Sequence, residues 1–183
     1  MANLYEDKIA QMNSAHEPQR AHQFKLVIEG ILDAPLIELS IKSAFPPSEK
    51  NEEVEIPYMN SRVWVAGKHS TEGGTIVLHD YIDKKTTEVL MYWRYQVFNS
   101  KEGTMGYASV YKKAGILYYL PPTLDASSND CQKWDLIGMW PTSFKKGAPD
   151  YSSTDLALIE LVIKVDKFIP EGMSRLENVK QAP

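Results

Sequence analysis

The sequence predicts a mainly β protein, a β-barrel or sandwich of about eight or nine strands with one flanking α-helix. Three observations carry that prediction. Apolar residues recur at every second position in run after run between Phe24 and Val165. One stretch, from Asp83 to Asn99, departs from that period and spaces its apolar residues as a helix does. The strands also follow one another without the strand–helix alternation of a parallel sheet, and no internal repeat is present.

The elements follow in order. Residues 1–20 are polar and aperiodic, and are expected to form an N-terminal arm that orders on contact with a neighbour. Residues 21–169 are expected to form the barrel domain. Phe24, Leu26 and Ile28 share one face of a first strand that Gly30 ends. Ile37, Leu39 and Ile41 alternate with Glu38, Ser40 and Lys42 and read as a second, half-buried strand, stopped by Pro46 and Pro47. Residues 48–53 read as a solvated loop. Val54, Ile56 and Tyr58 then alternate with Glu53, Glu55 and Pro57, and a proline without a donor marks an edge strand or hairpin arm. A further strand over Arg62–Ala66 closes at Gly67, and another runs from Thr75 to Tyr81.

Asp83 is placed to cap a helix from about Lys84 to Asn99, in which Leu90, Trp93 and Val97 lie on one side. Trp93 is expected to anchor the core by packing that helix on the sheet. Strand patterns resume at Tyr107–Lys113 and Ile116–Leu120. Trp134, Leu136 and Trp140 then line one face of a strand expected to end at Pro141. The last strand places Ala157, Ile159, Leu161, Ile163 and Val165 on one face and Glu160, Lys164 and Asp166 on the other. Residues 170–183 read as a C-terminal arm.

Composition narrows the function. A chain of 183 residues fits one domain with a substantial core, and 43% apolar with 24% charged residues is ordinary for a soluble protein. No run approaches the ~20 apolar residues of a membrane helix, so no membrane partner is expected. The N-terminus lacks a basic stretch followed by an apolar block, so synthesis in a cytosol is expected. Cys131 is the single cysteine, which removes an intrachain disulfide and leaves no thiolate cluster for zinc. With a net charge of −4 and no lysine- or arginine-rich run, the cationic footprint of a nucleic-acid grip is missing.

No catalytic constellation emerges. His16, His22, His69 and His79 stand in no metal-ligand spacing. Ser143-Phe-Lys-Lys146 formally matches a serine–lysine motif but follows a strand and lacks that motif's partners. Gly103-Thr-Met-Gly106 is too short for a phosphate-binding loop. Glu49, Glu52, Glu53 and Glu55 lack calcium-loop spacing. No enzyme, metal or cofactor is expected.

In order and spacing from Gln23 to Pro170, the chain resembles the tail tube proteins of contractile-tailed phages, whose fold the secretion-system tube protein shares. The matching parts begin with Phe24-Lys-Leu-Val-Ile-Glu-Gly and Glu52-Glu-Val-Glu-Ile-Pro-Tyr. They continue through Val65-Ala-Gly-Lys and Gly74-Thr-Ile-Val-Leu-His-Asp to the helix with Trp93. Trp134-Asp-Leu-Ile-Gly-Met-Trp-Pro-Thr-Ser-Phe and a long final strand complete the series; Met139 and Trp140 depart from the family's pattern there.

The resemblance implies hexameric rings that stack into a hollow inner tube. Its implied partners are further copies of the chain, a tail sheath, a tape-measure protein in the lumen and a baseplate initiator. DNA would pass in transit without tight binding. It implies a virion tail location after assembly in a host cytoplasm, and a ring-stacking loop within an extended hairpin at about 46–66. The stacking residues would be Pro46, Pro47, Glu52, Glu53, Glu55 and Tyr58. Two relatives of the same fold stand beside the tube: an initiator or terminator ring, and the tube of a tailocin or secretion system. A small-ligand-binding β-barrel is the alternative of another class.

Overall fold

The computed structural model describes residues 18–127 and 130–171. The expected arms at 1–20 and 170–183 fall mostly outside that range. The strands are β1 (Phe24–Ile28), β2 (Ile41–Ser43), β3 (Ser48–Tyr58), β4 (Ser61–Glu72), β5 (Gly74–His79), β6 (Phe98–Asn99), β7 (Thr104–Met105), β8 (Lys113–Tyr119), β9 (Gln132–Lys146), β10 (Leu158–Lys164) and β11 (Lys167–Glu171). The helices are α1 (Ala34–Ser40), α2 (Lys85–Val97) and α3 (Ala108–Tyr111).

Seven strands make one strongly curled sheet in the order β1-β8-β9-β10-β5-β2, with β11 also paired to β9. The pairings are antiparallel throughout. This is the mainly β fold the alternation predicts. The 15-residue β9 organises it. On one side it pairs with β8. On the other it pairs first with β11 and then with β10, so the segment from Leu158 to Glu171 runs along its length. The register holds across the gap between the two, with Lys164 opposite Trp140 and Lys167 opposite Ile137.

The core lies inside the curl. Ile159, Leu161, Ile163 and Val165 alternate inward from β10, as the sequence indicates, and meet Leu26 and Ile28 of β1, Ile76 and Leu78 of β5, and Leu136 and Met139 of β9. α2 lies on β9 and directs Thr86, Val89, Leu90, Trp93 and Val97 into this core, one helical face. Trp93 is 1% exposed, and its Nε1–H donates to the Tyr111 carbonyl at 2.7 Å. The Ser40 hydroxyl donates to the Leu36 carbonyl at 2.6 Å, so the Thr86 hydroxyl, 3.2 Å away, donates to Ser40 and joins α1 to α2.

Several expectations are corrected. Ile37–Ser40 is not a strand: α1 covers it, with Pro35 in its first turn, and strand begins only at Ile41. Ile37, Ser40 and Ile41 face inward at helical spacing while Leu39 points to solvent, so the period was helical. Residues 48–53 are not loop but the first half of β3. Tyr107–Lys113 holds α3 before β8 begins. Asp83 does not sit at the cap position; Lys84 does, with φ 64°, while an Asp83 carboxylate oxygen accepts from the Lys85 N–H at 3.2 Å.

β9 continues past Pro141, which stands opposite Ile163. Gly138, at φ 72°, bulges the strand against β8, and this flips the parity, so that Met139 and Pro141 are buried and Trp140 alternates with them. Trp140 is therefore not on the face of Trp134 and Leu136 but packs against Tyr111, ring centres 5.8 Å apart. Finally, β11 replaces the expected irregular start of the C-terminal arm.

Candidate assembly surfaces

The feature that stands apart from the barrel is a long hairpin, and its root is fixed with care. β5 pairs with β10 so that Gly74 lies opposite Ile163. The line continues beyond β5: the buried Thr71 hydroxyl approaches the carbonyls of Val165 at 2.7 Å and Asp166 at 3.1 Å, and Lys164 Nζ donates to the Thr71 carbonyl at 2.8 Å. β4 thus prolongs β5 out of the barrel end. Two glycines make the junction possible. A Cβ on Gly73 would lie 1.9 Å from the Ile163 carbonyl oxygen, and one on Gly74 would lie 2.2 Å from Phe45 Cβ.

Beyond the root, β3 (11 residues) and β4 (12 residues) pair with each other and, among the described residues, with no other strand. Met59 and Asn60 close the turn, Met59 with φ 51°. Val54 faces Val65 and Ile56 faces Val63, with Tyr58 following on the same side. The opposite side carries Glu53, Glu55 and Pro57 against Ala66, Trp64 and Arg62, and Arg62 Nε lies 3.1 Å from a Glu55 carboxylate oxygen. Val54, Ile56, Tyr58, Val63, Trp64 and Val65 are all exposed, between 43% and 64%. A two-stranded ribbon is marginal in water by itself, and one with an exposed apolar stripe has a surface to cover.

The residues singled out from sequence fall on this element unevenly. Pro46 and Pro47 lie at its entrance, before β3 begins. Glu52 sits at a break in the pairing between Asn51 and Glu53. Glu53 and Glu55 share the charged face, while Tyr58 ends the apolar stripe next to the turn. Trp93 is elsewhere, in the core. The hairpin spans 48–72 rather than 46–66. Val63, Trp64 and Val65 were missed as surface residues, although the alternation Arg62-Val-Trp-Val-Ala contains them.

Three other surfaces are available. β1 and β2 end the sheet order, each with an edge that no other described strand covers. Ion pairs line the outside of the molecule: Lys133 of β9 reaches Asp135 on its own strand and Glu171 of β11, Lys145 of β9 lies 3.4 Å from Glu160 of β10, and Lys25 of β1 lies 3.1 Å from Glu38 of α1. The hydrogen bond from Lys133 holds the Glu171 carboxyl below its usual range. Burial, with Glu171 alongside, pushes Asp135 up against the pull of Lys133. At the barrel end opposite the hairpin, the turns at 80–84 and 147–157 expose Ile82 (101%), Tyr151 (111%) and Leu156 (75%). Among the described residues, no group of three or more His, Cys, Asp or Glu is placed to hold a metal, and no helix is long and apolar enough to cross a membrane.

No protein-family model and no curated protein matches the chain. Solved structures do. A chain from the sheath/tube terminator of the extracellular contractile injection system PVC, in the extended state, is 15% identical with a TM-score of 0.63, covering 86% of this chain and 99% of that one. A chain from the PVC sheath–tube complex is 16% identical with a TM-score of 0.55, over 88% and 96%. The SPP1 tail tube is 10% identical with a TM-score of 0.50, over 90% and 88%. At these identities the likeness is one of fold, and the fold that this chain shares with them is the tail tube fold.

Proposed function

We propose that this chain is a structural subunit of a tail tube, assembling as hexameric rings that stack into a hollow conduit. The observation that carries the reading is the hairpin. It prolongs β5 out of the barrel, bears an apolar stripe and, among the described residues, pairs with no other strand, which suits an arm built for a neighbouring copy. The uncovered edges of β1 and β2 fit the same reading, since a closed ring of heterologous contacts removes such edges. Pro46, Pro47, Glu52, Glu53, Glu55 and Tyr58 then belong to the arm that joins one ring to the next.

In the finer form of the reading the tube is a phage's, enclosed by a sheath and seated on a baseplate initiator. It holds a tape-measure protein before ejection and passes DNA afterwards. The virion tail is then its location, after assembly in a host cytoplasm. The absence of a basic run suits a conduit that DNA leaves easily. The role needs no catalysis. A small-ligand barrel fits less well, because Trp93, Leu136 and Met139 fill the interior at 0–1% exposure.

Negative-stain electron microscopy with light scattering on the purified protein tests the reading. Tubes of uniform bore support it, and single rings that never lengthen replace the tube subunit with an initiator or terminator. A strict monomer at high concentration overturns it.

A further inference from the structure

The hairpin's counterpart can be sought on the same molecule. β5 runs from Gly74, where the hairpin leaves, to His79, and β10 runs against it, with Ile163 opposite Gly74 and Leu158 opposite His79. The turns at 80–84 and 147–157 therefore stand at the far end of the barrel. They are tied together there: the Asp80 N–H donates to the Ala157 carbonyl at 3.0 Å, and the Gly147 N–H donates to the Leu158 carbonyl at 2.8 Å. Lys146 Nζ also lies 2.6 Å from an Asp80 carboxylate oxygen. This held frame displays Ile82, Tyr151 and Leu156 to solvent. The molecule thus has an apolar arm at one end and apolar turns at the other, with the barrel between them.

We infer that the turns bearing Ile82, Tyr151 and Leu156 receive the Val54/Ile56/Tyr58/Val63/Val65 face of the hairpin from a second copy of this chain in the next ring. The inference rests on the tube reading and names the surface that the reading leaves open. One chain cannot satisfy both ends, because they point apart. Two copies related by translation along the barrel can, and the contact is heterologous, so it repeats without closing.

Area argues for a ring as the partner rather than a free monomer. A strand of this length spans about 37 Å and a two-stranded ribbon is roughly 10 Å wide, so one face offers on the order of 400 Å². A lasting contact uses about 800 Å² from each partner. A single arm is too small to hold a pair of monomers, whereas arms acting together around a ring reinforce one another.

Complementation between rings tests this. Ile56→Glu with Val63→Lys disables the arm while keeping a cross-strand pair, and Ile82→Lys with Tyr151→Lys disables the turns. All four side chains are exposed, and circular dichroism and the melting temperature confirm folding. Each variant alone should give single rings by electron microscopy. Preformed rings of the two variants, mixed, should give double rings and nothing longer, because only one arm-bearing face meets one intact set of turns. Tubes of ordinary length from the Ile82/Tyr151 variant, with none from the Ile56/Val63 variant, overturn the turns as the receiving surface and leave ring stacking intact. Tubes from both variants remove the arm from stacking as well, and a wild-type chain that forms neither rings nor tubes overturns both readings.

Discussion

β10 and the hairpin are both antiparallel, and both alternate apolar with polar residues, yet they meet opposite fates. On β10 the apolar side disappears, with Leu161 1% exposed beneath the curled sheet and α2. On β3 the same alternation leaves Ile56 at 47%, because the ribbon extends past the end of the barrel and, among the described residues, no second layer covers it. An identical local pattern therefore reports only that one face seeks burial. Whether the chain itself supplies the cover is decided by topology, and the described residues do so for the barrel and not for the arm.

If that division is right, substitutions in the two regions should act on different observables. The largest loss of stability is expected from Trp93→Ala. It opens a cavity between α2 and β9 and strips the Tyr111 carbonyl of its donor, costing about 3–5 kcal/mol. Thermal and denaturant unfolding read this directly, and a variant as stable as the parent would remove Trp93 from the core.

A smaller effect is expected from Asp80→Asn, at about 1 kcal/mol near neutral pH. Burial pushes the Asp80 carboxyl up, but hydrogen bonds from Lys146 and Thr87 and the Lys146 charge outweigh it and hold it low. A carboxylate depressed in the folded state stabilises above its unfolded value, about 3.9, and loses that contribution as pH falls through its folded value. Melting temperatures of parent and variant should therefore differ at pH 7 and converge in strong acid. A difference that persists there would assign the effect to packing.

The smallest change in stability is expected from Ile56→Glu with Val63→Lys, within about 0.5 kcal/mol, because both side chains already face water. This variant should nevertheless lose assembly. If it melts many degrees lower, the arm is a part of the fold rather than an appendage, and the contrast with β10 fails.

Much of the barrel could be read from residue order. β1, β10 and the inward face of α2 follow the periods of two and 3.6 closely. The errors share a cause: short segments whose period is ambiguous without their neighbours. Ile37, Leu39 and Ile41 alternate like a strand, but Ile37, Ser40 and Ile41 also fit a helical face, and burial of the small Ser40 against Thr86 decides between them. Trp140 was misassigned because Gly138 shifts the count by one residue, and a bulge of that kind gives little local warning. β11 has only five residues, ends in Pro170 and Glu171 and buries Phe168 alone, too short a pattern to read as a strand without its pairing to β9.

The arm was only half legible. Pro57 marks an edge or hairpin arm and the glutamates before it a solvated loop, whereas the side chains with apolar area to cover, Val63 and Val65, read like any other strand. Exposure is a property of the layers above a residue, and the sequence names no layers.

The way β4 prolongs β5 has a mechanical side. A pull on the hairpin tip would run down β4 into β5 and meet the six residue pairs that join β5 to β10 lengthwise. Antiparallel hydrogen bonds lie across the strands, so such a pull strains them together instead of unzipping them one at a time. Thr71 and Lys164 add two more ties at the point where the tension enters. The arm is thus joined to the barrel in shear, the geometry in which a thin ribbon resists extraction best.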